Sequence, residues 1–174
     1  MLDEKNRSTL LKLAAASVKY GLDHRSPLPI ELENYSPELQ AIKASFVTLQ
    51  INDQLRGCIG TLEAYRPLLE DVVDNAYAAA FRDPRFNPLQ VEEYEHLHYH
   101  ISVLTSPEAM SFDSEEELLQ QIRPGVDGLI LEDLGRRGTF LPSVWESLPR
   151  AEDFLQHLKL KAGLNPGHWS PSLR

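Results

Sequence analysis

Ser45 to Thr61 reads SFVTLQINDQLRGCIGT, and how this stretch folds back on itself decides the architecture. Val47, Leu49 and Ile51 alternate with Thr48 and Gln50, the period-two pattern of a strand with one buried face. Asn52-Asp53 is a turn pair, and a second strand is predicted from Leu55 to Thr61. Two registers compete. A two-residue loop at Asn52-Asp53 sets Leu49 opposite Arg56 and Val47 opposite Cys58. A three-residue loop through Gln54 sets Ile51 opposite Leu55 and Val47 opposite Ile59, and it places Arg56 and Cys58 on the face of Thr48 and Gln50. A slip of one residue sends every side chain to the other face, so the register with one apolar and one polar face, the three-residue loop, is expected.

Before the hairpin, residues 4–22 are predicted helical, with Leu10, Leu11, Ala14, Ala15 and Val18 at helical spacing and Gly21 as a stop. The prolines of 26–37 predict an extended surface connection. After it, a helix is expected over 67–81. Pro67 suits its first turn, Glu70 and Asp71 suit its positive end, and its stripe of alanines allows close approach to a sheet. RDPRFNP (82–88) ends that helix. Residues 97–104 predict a third strand, with Leu97, Tyr99, Ile101 and Val103 on one face and His96, His98 and His100 on the other. Ser114 and Glu117 form a capping-box pattern opening a helix over 114–122. Residues 128–141 read as a second hairpin turning near Asp133 to Arg136, and 151–164 as a last helix stopped at Gly163. Hairpin-then-helix thus occurs at 45–81 and again at 128–162. The expected class is α+β: an antiparallel sheet from two hairpin-plus-helix units, a probable duplication, with helices packed on the sheet.

The chain has 174 residues, one domain's worth, with two lobes at about 1–110 and 111–174 as the alternative division. Its net charge of −9 argues against a nucleic-acid surface, although a pocket for one small anion is compatible with it. No apolar run approaches the ~20 residues of a membrane span, and the first ten residues are polar. The single cysteine cannot form an internal disulfide, so a cytoplasmic location is expected.

LRGCIGT, followed in order by AYAAAFRDPRF, ISVLTSPE, GLIL, GTFLPSVWE and FLQHLKLKAGL, resembles the AMMECR family, whose bacterial members are called the A component of the AmmeMemoRadiSam system. The similarity runs over roughly residues 8–170. It implies an α+β fold with a duplicated strand-and-helix plan, no established activity, and a Memo-like protein and a radical S-adenosylmethionine protein as pathway company. Family positions fall on Arg56, Gly57, Cys58, Gly60, Asp83, Arg85, Phe86, Ser102 and Gly128. Family chains run past HWSP into a short terminal strand, whereas this sequence ends at Arg174, which leaves the closure of that sheet edge open.

Cys58 is the candidate nucleophile. A thiolate, not a thiol, attacks, and a nearby cation favours it. On a strand Arg56 lies about 7 Å from Cys58 on the same side. Arg85, on the loop after the 67–81 helix, is placed to approach from the side. Arg56 and Arg85 are the candidate substrate-binding cations and Asp83 the carboxylate orienting an arginine, counted with Cys58 as catalytic. Gly57 and Gly60 remove bulk so that a ligand or another backbone comes close. The competing reading is a buried cysteine acting as a small hydrophobe beside a close-packed helix.

The three histidines invite a metal. Neighbours spaced about 7 Å along a strand and outer members about 13 Å apart cannot all ligate one ion, so no metal is assigned to His96, His98 and His100. GRRGT (135–139) reads as a hairpin tip and GCIG lacks a phosphate loop's lysine, so no cofactor is assigned. The expected function is a small-molecule component, binding or modifying an anionic substrate at the Leu-Arg-Gly-Cys-Ile-Gly motif. The alternative is a non-catalytic partner protein of the Memo-like and radical S-adenosylmethionine pathway.

Overall fold

The computed structural model describes residues 2–174, and the chain divides after Ser106 into two compact units with separate apolar cores.

The first unit is built on the quoted hairpin. Strands β1 (Ser45–Ile51) and β2 (Gln54–Gly60) pair antiparallel, and β3 (His98–Val103) adds to the other side of β1, giving the order β2-β1-β3. Near the loop the pairing is Ile51 with Gln54 and Gln50 with Leu55, which is the two-residue turn. Asn52 and Asp53 both have positive φ, 51° and 60°, as a type I′ turn requires. Beyond Leu49 the register shifts, and Leu49 pairs with Gly57, Thr48 with Cys58 and Val47 with Ile59. The expected three-residue loop is therefore corrected: turn chemistry sets the loop, the apolar pattern sets the far end, and a β-bulge at Arg56 absorbs the one-residue conflict.

Val47 and Leu49 are fully buried beneath α1 (Glu4–His24) and α3 (Leu68–Phe81). α1 starts at Asp3, whose carboxylate accepts the Asn6 amide at 2.7 Å. It does not stop at Gly21 but runs to His24 and closes on Arg25 in the left-handed region. Gly21 instead permits helix contact, because a Cβ there would sit 2.5 Å from the Phe81 ring. The proline-rich connection of 26–37 is interrupted by a 3-10 turn, Leu32–Asn34, and is followed by a short helix, α2 (Pro37–Gln40). Asp71, expected merely to complement the α3 terminus, is fully buried. Its carboxylate gathers the Ser45 amide and hydroxyl, Thr61 Oγ1, Arg66 Nε and Asn75 Nδ2, all at 2.6–2.9 Å. Those bonds tie both outer ends of the hairpin to α3, and the buried carboxylate has a donor on each oxygen.

The second unit holds α4 (Glu115–Gln121), β4 (Leu129–Asp133), β5 (Arg136–Phe140) and α5 (Ala151–Lys161). Ser114 caps α4 by accepting the Glu117 amide, whereas the Glu117 carboxylate reaches Asp113 rather than closing the box on Ser114. Among the strands of the described residues β4 and β5 pair with each other and not with β1–β3, so the two hairpins form two sheets and not one, each covered by helices of its own unit. Phe154, Leu155 and Leu158 of α5 are fully buried, and Trp145 stacks on Phe154 with ring centroids 3.8 Å apart. Lys159 is also fully buried, its ammonium donating to Glu115 at 2.8 Å. The last residues close the outer edge of β4: Arg174 and Glu132 exchange both backbone bonds, at 2.6 and 3.0 Å. Together these elements make the protein α+β.

Candidate functional site

The site predicted from sequence lies on the β2 edge, and most of its members converge there. In the β1–β2 ladder Thr61 donates to Ser45, so the backbone groups of Cys58 point outward from the sheet. Both are taken by one turn. The Cys58 amide donates to Asp83 Oδ2 at 2.9 Å, and Arg85 Nη2 donates to the Cys58 carbonyl at 3.3 Å. Asp83 and Arg85 in turn form a two-pronged pair, Nε to Oδ1 at 2.9 Å and Nη2 to Oδ2 at 2.7 Å. The Asp-Pro-Arg turn thus completes the hydrogen bonding of an edge residue as a further strand would.

Electrostatics follow the burial. The Asp83 side chain is 2% exposed and that of Arg85 54%. The Arg85 guanidinium, assisted by the Cys58 and Arg85 amides, holds the Asp83 carboxyl far below its ordinary range against the opposing push of burial. Asp83 in return raises Arg85.

The thiol itself is half-buried, and its sulfur lies 3.1 Å from Thr48 Oγ1 across the non-hydrogen-bonded pair. On the far side of Thr48 stands His100, opposite it in β3. Cys58, Thr48 and His100 therefore form one row across the sheet.

Arg56 departs from the simple picture. Displaced by the bulge, its guanidinium forks onto Glu93, Nε to Oε1 at 2.7 Å and Nη2 to Oε2 at 2.9 Å, and also donates to the Asn87 carbonyl at 3.0 Å. Glu93 is lowered by that fork, and Arg56 is raised by it. Arg56 and Arg85 flank one ring, with guanidinium carbons 5.7 and 5.6 Å from the Phe86 centroid. One nitrogen, Arg56 Nη1, is buried and makes no hydrogen bond within the protein. Glu93 and Asn87 escaped the sequence reading, in which Thr48 figured only as a neighbour of Cys58 on the polar face. Only Glu93 carries a signal, three residues after Gln90, whose amide it accepts, and that spacing says nothing of Arg56.

The glycines have a packing explanation. A Cβ at Gly57 would lie 2.1 Å from the Ala79 carbonyl oxygen, and one at Gly60 would lie 2.2 Å from the Phe46 ring. The space expected for a ligand is filled by the chain itself, the second of the two approaches the sequence left open. The histidine trio is also corrected: His96 belongs to the 3-10 turn of Val91–His96, leaving His98 and His100 on β3, both exposed. No group of three or more His, Cys, Asp or Glu able to hold a metal occurs among the described residues. Nor, among them, is any helix long and apolar enough to cross a membrane.

The chain as a whole is similar to known proteins. The AMMECR1 family model matches residues 11–174. A protein of Methanothermobacter thermautotrophicus is 38% identical over 91% of this chain and 82% of its own length. One from Methanocaldococcus jannaschii is 39% identical over 80% and 71% respectively. The crystal structure of an uncharacterized protein from Pyrococcus horikoshii superposes with a TM-score of 0.83 at 34% identity, covering 95% of this chain and 84% of that one. A match over all but the first ten residues, with the same fold at one-third identity, means that this chain belongs to the AMMECR1 family.

Proposed function

We propose that the chain binds a small anionic molecule at the Leu-Arg-Gly-Cys-Ile-Gly strand and that Cys58 holds or attacks it. The observation carrying this reading is a half-buried thiol on a residue whose main chain is fixed by the Asp83–Arg85 pair, with half the Arg85 side chain still exposed. Arg85 supplies the accessible cation, Asp83 orients it, and Arg56 brings a buried donor, Nη1, that the protein leaves without an acceptor. Gly57 and Gly60 serve by keeping α3 and Phe46 close, not by touching the ligand. A reduced cytoplasm suits the single free thiol. Iodoacetamide labelling tests the reading: Cys58 should be alkylated in the folded chain, and Arg85→Ala should slow the reaction. A thiol that reacts only after denaturation would refute it.

A second reading is a non-catalytic partner of Memo-like and radical S-adenosylmethionine proteins. It is favoured by the internal pairing of the charges, Arg56 with Glu93 and Arg85 with Asp83, which spends much of the site on architecture. Co-purification with either partner supports it, and no association at micromolar concentration counts against it.

A further inference from the structure

The two edges of the three-stranded sheet are treated differently. On β2 a bulge at Arg56 breaks the strand, and the Asp83–Arg85 turn occupies the outward groups of Cys58. Bulges and covering segments are how proteins stop sheet edges from pairing with other chains. β3 has neither. It reads HYHISV, six residues in unbroken register with β1, without proline, lysine or any carboxylate.

The phase of its ladder follows from one bond. Leu104 donates to the Ala44 carbonyl, so the even-numbered residues of β3 face β1 and the backbone groups of Tyr99, Ile101 and Val103 face outward. Among the described residues no backbone partner outside the β1 ladder reaches those three.

We infer that this edge pairs with the same edge of a second copy of the chain, β3 antiparallel to β3 across a two-fold axis at Ile101. The side-chain pattern selects this occupant and register. Outward residues must meet outward residues, so only even shifts are open. With Ile101 opposite its own copy, Tyr99 lies opposite Val103 and His100 opposite Ser102. That gives an aromatic–β-branched pair on the inner face and an uncharged partner for each histidine on the outer one. Shifting by two residues one way sets His100 against His100, and the other way leaves only Ile101 to Val103 paired within the strand. The sequence is thus complementary to itself in one register, as an isologous contact demands. The strand carries no carboxylate, lysine or arginine, in a chain of net charge −9, so its own side chains add no anionic repulsion across the contact. Five paired residues on each copy make a small contact, and a dissociation constant on the order of 100 µM is expected.

Sedimentation equilibrium from about 5 to 500 µM should show the mass rising from 19.7 kDa toward twice that value, more readily at higher salt. Over the same range, hydrogen exchange should slow at the Tyr99, Ile101 and Val103 amides and stay unchanged in α5. His100→Lys with Ser102→Lys, both exposed positions, should weaken association at least tenfold by setting ammonium groups opposite each other. Ile101→Pro, which removes an amide the β1 ladder does not use, should do the same without unpairing β3 from β1. A chain monomeric throughout, a dimer with no slowing at those amides, unaltered dimerisation of the lysine variant, or a monomer that instead takes up an extended peptide at β3 would each overturn the inference.

Discussion

The two hairpins solve one packing problem twice and differ in what they add. Each turns on two residues of positive φ, Asn52-Asp53 in the first unit and Leu134-Gly135 in the second. Each sets a glycine against backbone of its following helix: Gly57 against Ala79, Gly138 against Leu158 and Ala162. After that glycine the first strand carries Cys58 and the second Thr139. Each hairpin also has a buried aspartate beside it. Asp83 grips the edge of β2, whereas Asp133 fastens the C-terminal segment to β4, accepting from His168 at 2.5 Å, Ser170 at 2.7 Å and Ser172 at 2.6 Å. The glycines are thereby explained by architecture in both halves. What the first half alone possesses is the thiol with an arginine–carboxylate pair locked to its main chain, and chemistry is to be sought in that difference.

The comparison can be broken in order of expected effect. Gly57→Ala forces a Cβ to 2.1 Å from a backbone oxygen and should cost about 3 kcal/mol or more, read as a fall in the urea midpoint. Gly138→Ala, whose nearest atoms lie at 3.0 Å, should cost only about 1 kcal/mol. Equal costs would show that the difference in closeness between the two contacts carries no energetic weight. Asp83→Asn removes a buried charge from two amide and two guanidinium donors and should cost about 2 kcal/mol, with faster exchange at the Cys58 amide as its specific sign.

Acid should act on the same groups. The folded-state values of Asp83 and Asp133 are depressed, so their stabilisation is complete above the ordinary carboxylate value of about 4 and fades only as pH falls below it. Asp133 is lowered chiefly by His168, then by Ser172 and Ser170. Proteolysis within 165–174 should therefore stay slow at neutral pH and quicken below about 4, and Asp133→Ala should quicken it at every pH. The smallest effect concerns the turns. Leu134 holds φ 51° while 71% exposed, so Leu134→Asn, giving the favoured Asn-Gly turn, should stabilise the chain by about 0.5–1 kcal/mol in thermal melts.

Much of this was legible in the residues. The α3 stripe, both hairpins and the last helix follow from periodicity and turn chemistry acting within one segment. The bulge was hidden because two local rules disagreed by one residue, and neither rule alone proposes the extra residue that satisfies both. Gly21 misled because its role depends on the Phe81 ring, sixty residues on. The convergence of Asp83 and Arg85 on Cys58 was expected as side-chain chemistry and is made through the main chain, which a side-chain alphabet does not display. Glu93 answers Arg56 across 37 residues, a pairing that only the folded first unit brings about.

The stacked Trp145 has a practical consequence. Both tryptophans, Trp145 and Trp169, belong to the second unit, while all six tyrosines, from Tyr20 to Tyr99, belong to the first. Emission excited at the red edge of the indole band therefore watches one half of the molecule, and tyrosine absorbance watches the other. A single unlabelled sample will tell whether the halves melt together or in turn.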